Sequence, residues 1–235
     1  GYDAVVVATG VTPRRPQIPG IDHPKVVTYP ELLLGKKVAG KKVAVIGAGG
    51  IGYDVSVFLV SEGKAPEVPA YLAEWGVDPS YARPGGLLPK KPSHAAPREV
   101  TMCQRTAGPM GRSLGKTTGW IHRSALKAAG VKTLSGVTYE KIDDRGLWLT
   151  TKDGKSTCLE VDTVVNCSGQ LSNAALVEPL RARGLEVHVV GGAELPARKS
   201  TLTLPPNDAK SLDIGTAYID DKGRRVNEPM PFKEK

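Results

Sequence analysis

A chain of 235 residues with 32 lysines and arginines against 24 aspartates and glutamates, a formal net charge of +8, is long enough to bury its own core and to form one or two domains. Three scattered cysteines, Cys103, Cys158 and Cys167, with no C-x-x-C pair, argue against a disulfide framework and against a metal site, and a reducing, cytoplasmic setting is expected. No apolar run approaches the roughly 20 residues that cross a bilayer, and the cations are too dispersed for nucleic acid, so the expected partners are small anionic molecules rather than membrane or nucleic acid.

The first element, YDAVVVATG (residues 2–10), is an apolar run that stops at small residues, as a buried parallel strand does. It follows Gly1 directly, with no initiating methionine, and the chain is therefore expected to be part of something longer. VTPRRPQIPGIDHP, with four prolines, predicts an extended, exposed crossing. KKVAVIGAGGIGYDVSVFLVSEG then reads as strand, glycine turn and helix, with Ile51, Val55, Phe58 and Leu59 on one helical face. Residues 64–97 are rich in Pro, Gly and Ala and predict a long surface insertion with a short helix at AYLAEWG.

EVTMCQ (99–104) is the next strand. After a glycine-containing loop, TGWIHRSALKAAG predicts a helix capped by Thr117 or Thr118 and ended by Gly130. VKTLSG is a strand, and the segment from Val137 to Val161 alternates in short pieces around Arg145-Gly146 and Asp153-Gly154, which predicts a β-meander. DTVVNCSG (162–169) repeats the form of the first strand.

The chemistry concentrates at Gly47-Ala48-Gly49-Gly50-Ile51-Gly52, which fits G-x-G-x-x-G between a strand and a helix. In that setting the first glycine makes the tight turn, the second lets backbone approach a pyrophosphate, and the third lets helix and strand pack closely. At the end of the following strand an acidic residue would bind the ribose diol of NADH. Gln104-Arg105 stands there instead, and Arg105, with Arg112 and Lys116 behind it, favours the 2′-phosphate of NADPH. The stretch GPMGRSLGKTTGW (108–120) resembles a P-loop superficially, but the glycine that such a loop needs is displaced by one residue to Gly111, with Met110 in its place, and a nucleotide triphosphatase is not expected. The four histidines are far apart, with no metal-ligand spacing, and no metal is expected.

YDAVVVATGVTPRRPQIPGIDHPKV, KVAVIGAGGIGYD, LGKTTGWIHR, GVKTLSGVTYEKIDD and VVNCSGQLSNAAL together resemble the C-terminal part of bacterial-type NADPH-dependent 2,4-dienoyl-CoA reductase, a family related to old yellow enzyme. The resemblance spans about Gly1 to Gly192. It implies that NADPH passes a hydride to FAD, and that electrons continue through an iron–sulfur cluster to FMN in an N-terminal barrel. It places Gly47, Gly49, Gly52 and Arg105 at NADPH, and Ala8-Thr9-Gly10 and Ser168-Gly169-Gln170 where the NADPH module meets the flavin module. The barrel, the cluster cysteines and the flavin domain's first strand and glycine turn have no counterpart in this sequence. An acidic residue that the family carries soon after GGA is also missing, since Glu194 stands out of register. No resemblance extends over residues 201–235. The expected architecture is α/β: a three-layer Rossmann-like dinucleotide-binding domain with a β-meander, residues 38–169, set between parts of an incomplete flavin-binding domain, residues 1–37 and 170–235.

Overall fold

The computed structural model of the chain describes residues 2–61, 67–89 and 96–195, together with the backbone of four short strand segments between residues 201 and 226. In chain order it runs β1 (Ala4–Val7), β2 (Val11–Pro13), β3 (Val26–Thr28), α1 (Tyr29–Leu33), β4 (Lys42–Ile46), α2 (Gly50–Val60), α3 (Val68–Trp75) and β5 (Glu99–Gln104). It continues with α4 (Gly119–Ala128), β6 (Lys132–Ser135), β7 (Thr138–Asp143), β8 (Gly146–Thr150), β9 (Ser156–Glu160), β10 (Thr163–Asn166), β11 (Gln170–Ser172), α5 (Val177–Arg181) and β12 (Glu186–Val189). The chain divides into two compact units, one of residues 15–168 and one of residues 1–14 with 169–235.

The 15–168 unit is built on a five-stranded parallel sheet in the order β3-β10-β4-β5-β6. Its middle strand β4 reads Lys-Val-Ala-Val-Ile, and the four apolar residues are all at most 1% exposed, as a parallel strand covered on both faces requires. Alternation along the strand then assigns them to two cores. Val43 and Val45 pack with Val55 and Leu59 of α2 and Leu126 of α4. Ala44 and Ile46 pack with Ile142 of β7 and with Leu147 and Leu149 of β8. The antiparallel meander β7-β8-β9 therefore covers one face of the sheet and the helices cover the other, giving the expected α/β, three-layer Rossmann-like architecture. Each fully buried Val or Ile contributes about 1.5–3 kcal/mol, so the central strand anchors both layers.

Several expectations change. The unit expected over residues 38–169 spans 15–168 as a compact unit, because β3, in the stretch 1–37 assigned to the flavin-binding parts, pairs with β10 through Val26↔Val164 and Thr28↔Asn166. Ile18 of the crossing is buried in the meander-side core instead of exposed. The short helix α1 was not expected; Thr28 and Glu31 form a capping box, with Pro30 in the first turn, so three residues of local chemistry start it. On α2 the buried face is Gly52, Tyr53, Val55, Ser56 and Leu59, and Phe58 is 38% exposed. The expected insertion does contain a helix, α3, ended by Gly76 in the left-handed conformation; residues 64–66 and 90–95 of that insertion lie outside the described residues.

In the other unit β1 and β12 pair in parallel, from Ala4↔Glu186 to Val7↔Val189, and β2 pairs antiparallel with β11. Val7, Val177 and Ala193 form a small core, backed by Val5, Val187 and Val189. The divergent segment from residue 201 onward, apart from its four backbone strand segments, lies outside the described residues.

Candidate dinucleotide-binding site

The glycine turn sits at the carboxyl end of β4 and is held from both sides of the sheet. The Gly47 N–H donates to the Cys103 carbonyl at 2.9 Å, and the Cys167 N–H donates to the Ile46 carbonyl at 2.8 Å. Its glycines are required for two different reasons. Gly47 has φ +107°, and a Cβ there would lie 2.3 Å from the Cys167 carbonyl oxygen; a Cβ on Gly52 would lie 2.0 Å from the Gly47 oxygen. These two are fixed by the fold. Gly49, the N-cap of α2, has an ordinary φ of −81°, and beyond the adjoining stretch of chain neither it nor Gly50 has any atom within 4 Å of where a Cβ would stand. Ala48 is buried and Ile51 packs on the core, so the turn presents Gly49 and Gly50 to open space. With no side-chain cap and no acid in the first turn, α2 offers its N–H donors and positive end outward, and these residues fit a pyrophosphate.

The next strand ends as the sequence reading expects. Gln104 spends its amide on its own loop, donating to the carbonyls of Thr106 at 2.9 Å and Gly108 at 3.2 Å. Arg105, Arg112 and Lys116 are all exposed, and none is recorded in a hydrogen bond or ion pair among the described residues. From Val100 to Tyr139 the chain carries six lysines and arginines and no carboxylate. This acid-free stretch was readable in the sequence and sharpens the case for an anionic ligand beyond Arg105 alone. Met110 and Leu114 pack into the helix-side core, so the loop between β5 and α4 is a docked structure. Thr118 occupies the N-cap position of α4, but at φ −115°, ψ −19° its side chain makes no capping hydrogen bond, so the expected threonine cap is not formed; Gly130 does follow the helix in the left-handed conformation.

If this loop meets the 2′-phosphate, Lys116→Ala weakens NADPH binding several-fold, about the value of one exposed charge contact, and leaves NADH unchanged. Parallel titrations with NADPH, NADH and ATP check it. Magnesium-dependent ATP binding that disappears in Lys116→Ala would restore the P-loop reading.

The remaining site residues fall on either side of the unit boundary. Ser168 closes the 15–168 unit, with its N–H and hydroxyl both donating to Asn166 Oδ1 at 3.1 and 2.7 Å. Ala8, Thr9 and Gly10 follow β1 in the other unit. There Asn173 ties them down: its N–H donates to the Gly10 carbonyl at 2.9 Å, and its carbonyl accepts from the Thr9 hydroxyl. Gly169 belongs to this unit too, at φ +117°. Glu194 is exposed at the end of a single helical turn, Gly191–Ala193. Among the described residues the turn at Gly47 is the one glycine turn that opens an α-helix directly after a strand.

All three cysteines are free. Burial pushes the thiols of Cys103 and Cys167 up to about 12, and the two pack in different core clusters, so they are structural groups rather than a redox pair. No group of metal-binding side chains occurs among the described residues, and His23 and His122 each face a carboxylate, Asp144 at 3.2 Å and Asp54 at 3.9 Å. No helix among the described residues is long and apolar enough to cross a membrane.

A parallel sheet with a glycine turn at a strand's carboxyl end, an outward-facing helix N-terminus and a cationic second strand end define a Rossmann-type dinucleotide-binding unit of the oxidoreductase kind. The chain belongs to the pyridine nucleotide-disulphide oxidoreductase family, whose model matches residues 1–198 and whose members bind FAD and NAD(P)H. A metal reductase of Desulforamulus reducens is 25% identical over 198 residues, covering 84% of this chain and 28% of that protein. A cinnamate reductase of Clostridium sporogenes is 39% identical over 64 residues, 27% of this chain and 9% of that protein. The solved structure of a 2-naphthoyl-CoA reductase in complex with 2-naphthoyl-CoA superposes with a TM-score of 0.62 at 25% identity, covering 83% of this chain and 24% of that one. The chain therefore spans only a minor part of each of these proteins.

Proposed function

We propose that this chain is the NADPH-binding, electron-input portion of a flavin-dependent reductase resembling 2,4-dienoyl-CoA reductase. The observation that carries the reading is the pair of open glycines, Gly49 and Gly50, followed at the next strand end by Arg105 and an acid-free loop. Backbone N–H groups at the start of α2 bind the pyrophosphate, and Arg105 with Arg112 and Lys116 meets the adenosine 2′-phosphate, which NADH lacks. Bound NADPH would supply a hydride to a flavin. Among the relatives, the cinnamate and 2-naphthoyl-CoA reductases are named for unsaturated acids or their thioesters, which supports an unsaturated thioester as the substrate of the whole assembly. Reduction of that substrate is assigned to a partner barrel carrying FMN and an iron–sulfur cluster, since this chain's share of the work is to hold and orient the nucleotide.

One observation favours a second reading, a dinucleotide-binding module without electron transfer: among the described residues of the smaller unit no glycine turn opens an α-helix after a strand. Anaerobic mixing of the chain with FAD and NADPH separates the two. The electron-input reading expects NADPH to bleach the visible absorbance of the flavin faster than it does in buffer alone. NADPH binding without any such acceleration supports the non-catalytic module instead.

A further inference from the structure

We propose that Tyr53 and Gly111 are positioning residues that set cofactor specificity: the buried tyrosine of α2 seats the loop between β5 and α4 and so fixes where its cations stand. The inference rests on the reading that this loop meets the 2′-phosphate. Tyr53 lies one turn into α2, its N–H donating to the Gly49 carbonyl at 3.1 Å, and the residue is only 3% exposed. Its ring does more than fill the core. A Cβ on Gly111 would stand 2.7 Å from the Tyr53 hydroxyl oxygen and 3.0 Å from both Tyr53 Cζ and Leu114 Cδ1, and Gly111 has φ +75°, so glycine is demanded here by space and by backbone conformation together.

From the other side Arg123 of α4 donates through Nη1 to the Gly111 carbonyl at 3.3 Å. Gly119, at the start of that helix, admits Leu114 so closely that a Cβ there would be 2.7 Å from Leu114 Cβ. The loop is thus gripped at Gly111 between α2 and α4, with Arg112 next to the grip and Lys116 one turn beyond it. Tyr53 sits four residues from Gly49, so one side chain links the pyrophosphate turn to the cationic loop. Cations on a loop already held in place lose less freedom on meeting a phosphate than cations on a free one, and that advantage applies to NADPH alone.

The test uses the full chain, titrated with NADPH and with NADH. Gly111→Ala pushes a methyl into the tyrosine hydroxyl and displaces the loop; NADPH affinity is expected to fall about tenfold, the worth of a charge-assisted contact, while NADH affinity stays within about twofold. Tyr53→Leu keeps an apolar side chain in the core but removes the ring and hydroxyl that back Gly111, and is expected to lower NADPH affinity in the same way while NADH stays within about twofold. The double variant is expected to lose no more NADPH affinity than the worse of the two single variants, because both act through one seat, whereas unrelated losses would add. Equal weakening of both cofactors in either single variant, no change in either cofactor, or losses that add in full in the double variant overturn the inference. Arg105→Ala is run alongside: if that variant and the parent bind NADPH equally, the underlying reading of the site has failed, and the inference falls with it for a different and recognisable reason.

Discussion

Gly49→Val is expected to reduce dinucleotide binding at least a hundredfold and to leave the fold intact. The expectation comes from the contrast within one motif. Valine at Gly47 or Gly52 would drive a Cβ to 2.3 or 2.0 Å from a carbonyl oxygen, so those variants should fail to fold properly. At Gly49 the backbone is in a region open to any residue and, beyond the adjoining stretch of chain, no atom lies within 4 Å of the new Cβ, so neither space nor backbone conformation demands glycine there. The cost to the fold is the loss of a favourable N-cap residue, about 1 kcal/mol or less. A ligand whose pyrophosphate approaches the backbone at that point would collide with the side chain, and a hundredfold loss corresponds to about 2.7 kcal/mol. Far-UV circular dichroism and thermal melting, run beside the titration, separate the two effects. Undiminished binding in a folded Gly49→Val protein would remove the glycine turn from the account.

Arg105→Ala should cost NADPH about 1.5–3 kcal/mol, the range of a hydrogen bond to a charged group, and should leave NADH unaffected. Arg105 is exposed and makes no hydrogen bond or ion pair among the described residues, its charge acting only electrostatically on Tyr139, so its loss leaves no buried hydrogen-bonding group unsatisfied and stability should hardly change. Because the contact is solvent-exposed, the difference between the parent and the variant should shrink as salt is added. A variant that loses NADPH and NADH affinity equally would place the arginine at a part of the ligand common to both.

Much of this was legible in the sequence, and the parts that were not have physical causes. The apolar run Val43–Ile46 followed by glycines specifies a doubly covered strand and its turn by local chemistry alone, and the structure has both. The helix face of α2 was misassigned at Phe58 because the helix reads Gly-Ile-Gly-Tyr-Asp-Val-Ser-Val-Phe-Leu-Val; with Asp and Ser as its only polar side chains apart from the Tyr hydroxyl, periodicity hardly distinguishes one side from another. Tyr53 and Ser56 are buried instead, Ser56 satisfying its hydroxyl on the Gly52 carbonyl at 2.7 Å. Strand β3 is only three residues long and gains its place from β10, which lies far along the chain, so no local pattern could announce it or move the unit boundary to Arg15. Helix α1 was within reach, since Thr28 followed by Glu31 is a capping-box spacing. The grip of Tyr53 on Gly111 joins residues on different elements and required the fold.

The proposed preference for NADPH is the point on which the role of Arg105 turns, and calorimetric titration of the unmodified chain with NADPH and with NADH, in buffer free of phosphate, reads it directly. The account predicts one saturable site per chain, with NADPH bound at least about tenfold more tightly than NADH, as one charge-assisted phosphate contact provides. Equal affinity for the two cofactors, tighter binding of NADH, or no saturable binding of either would contradict it.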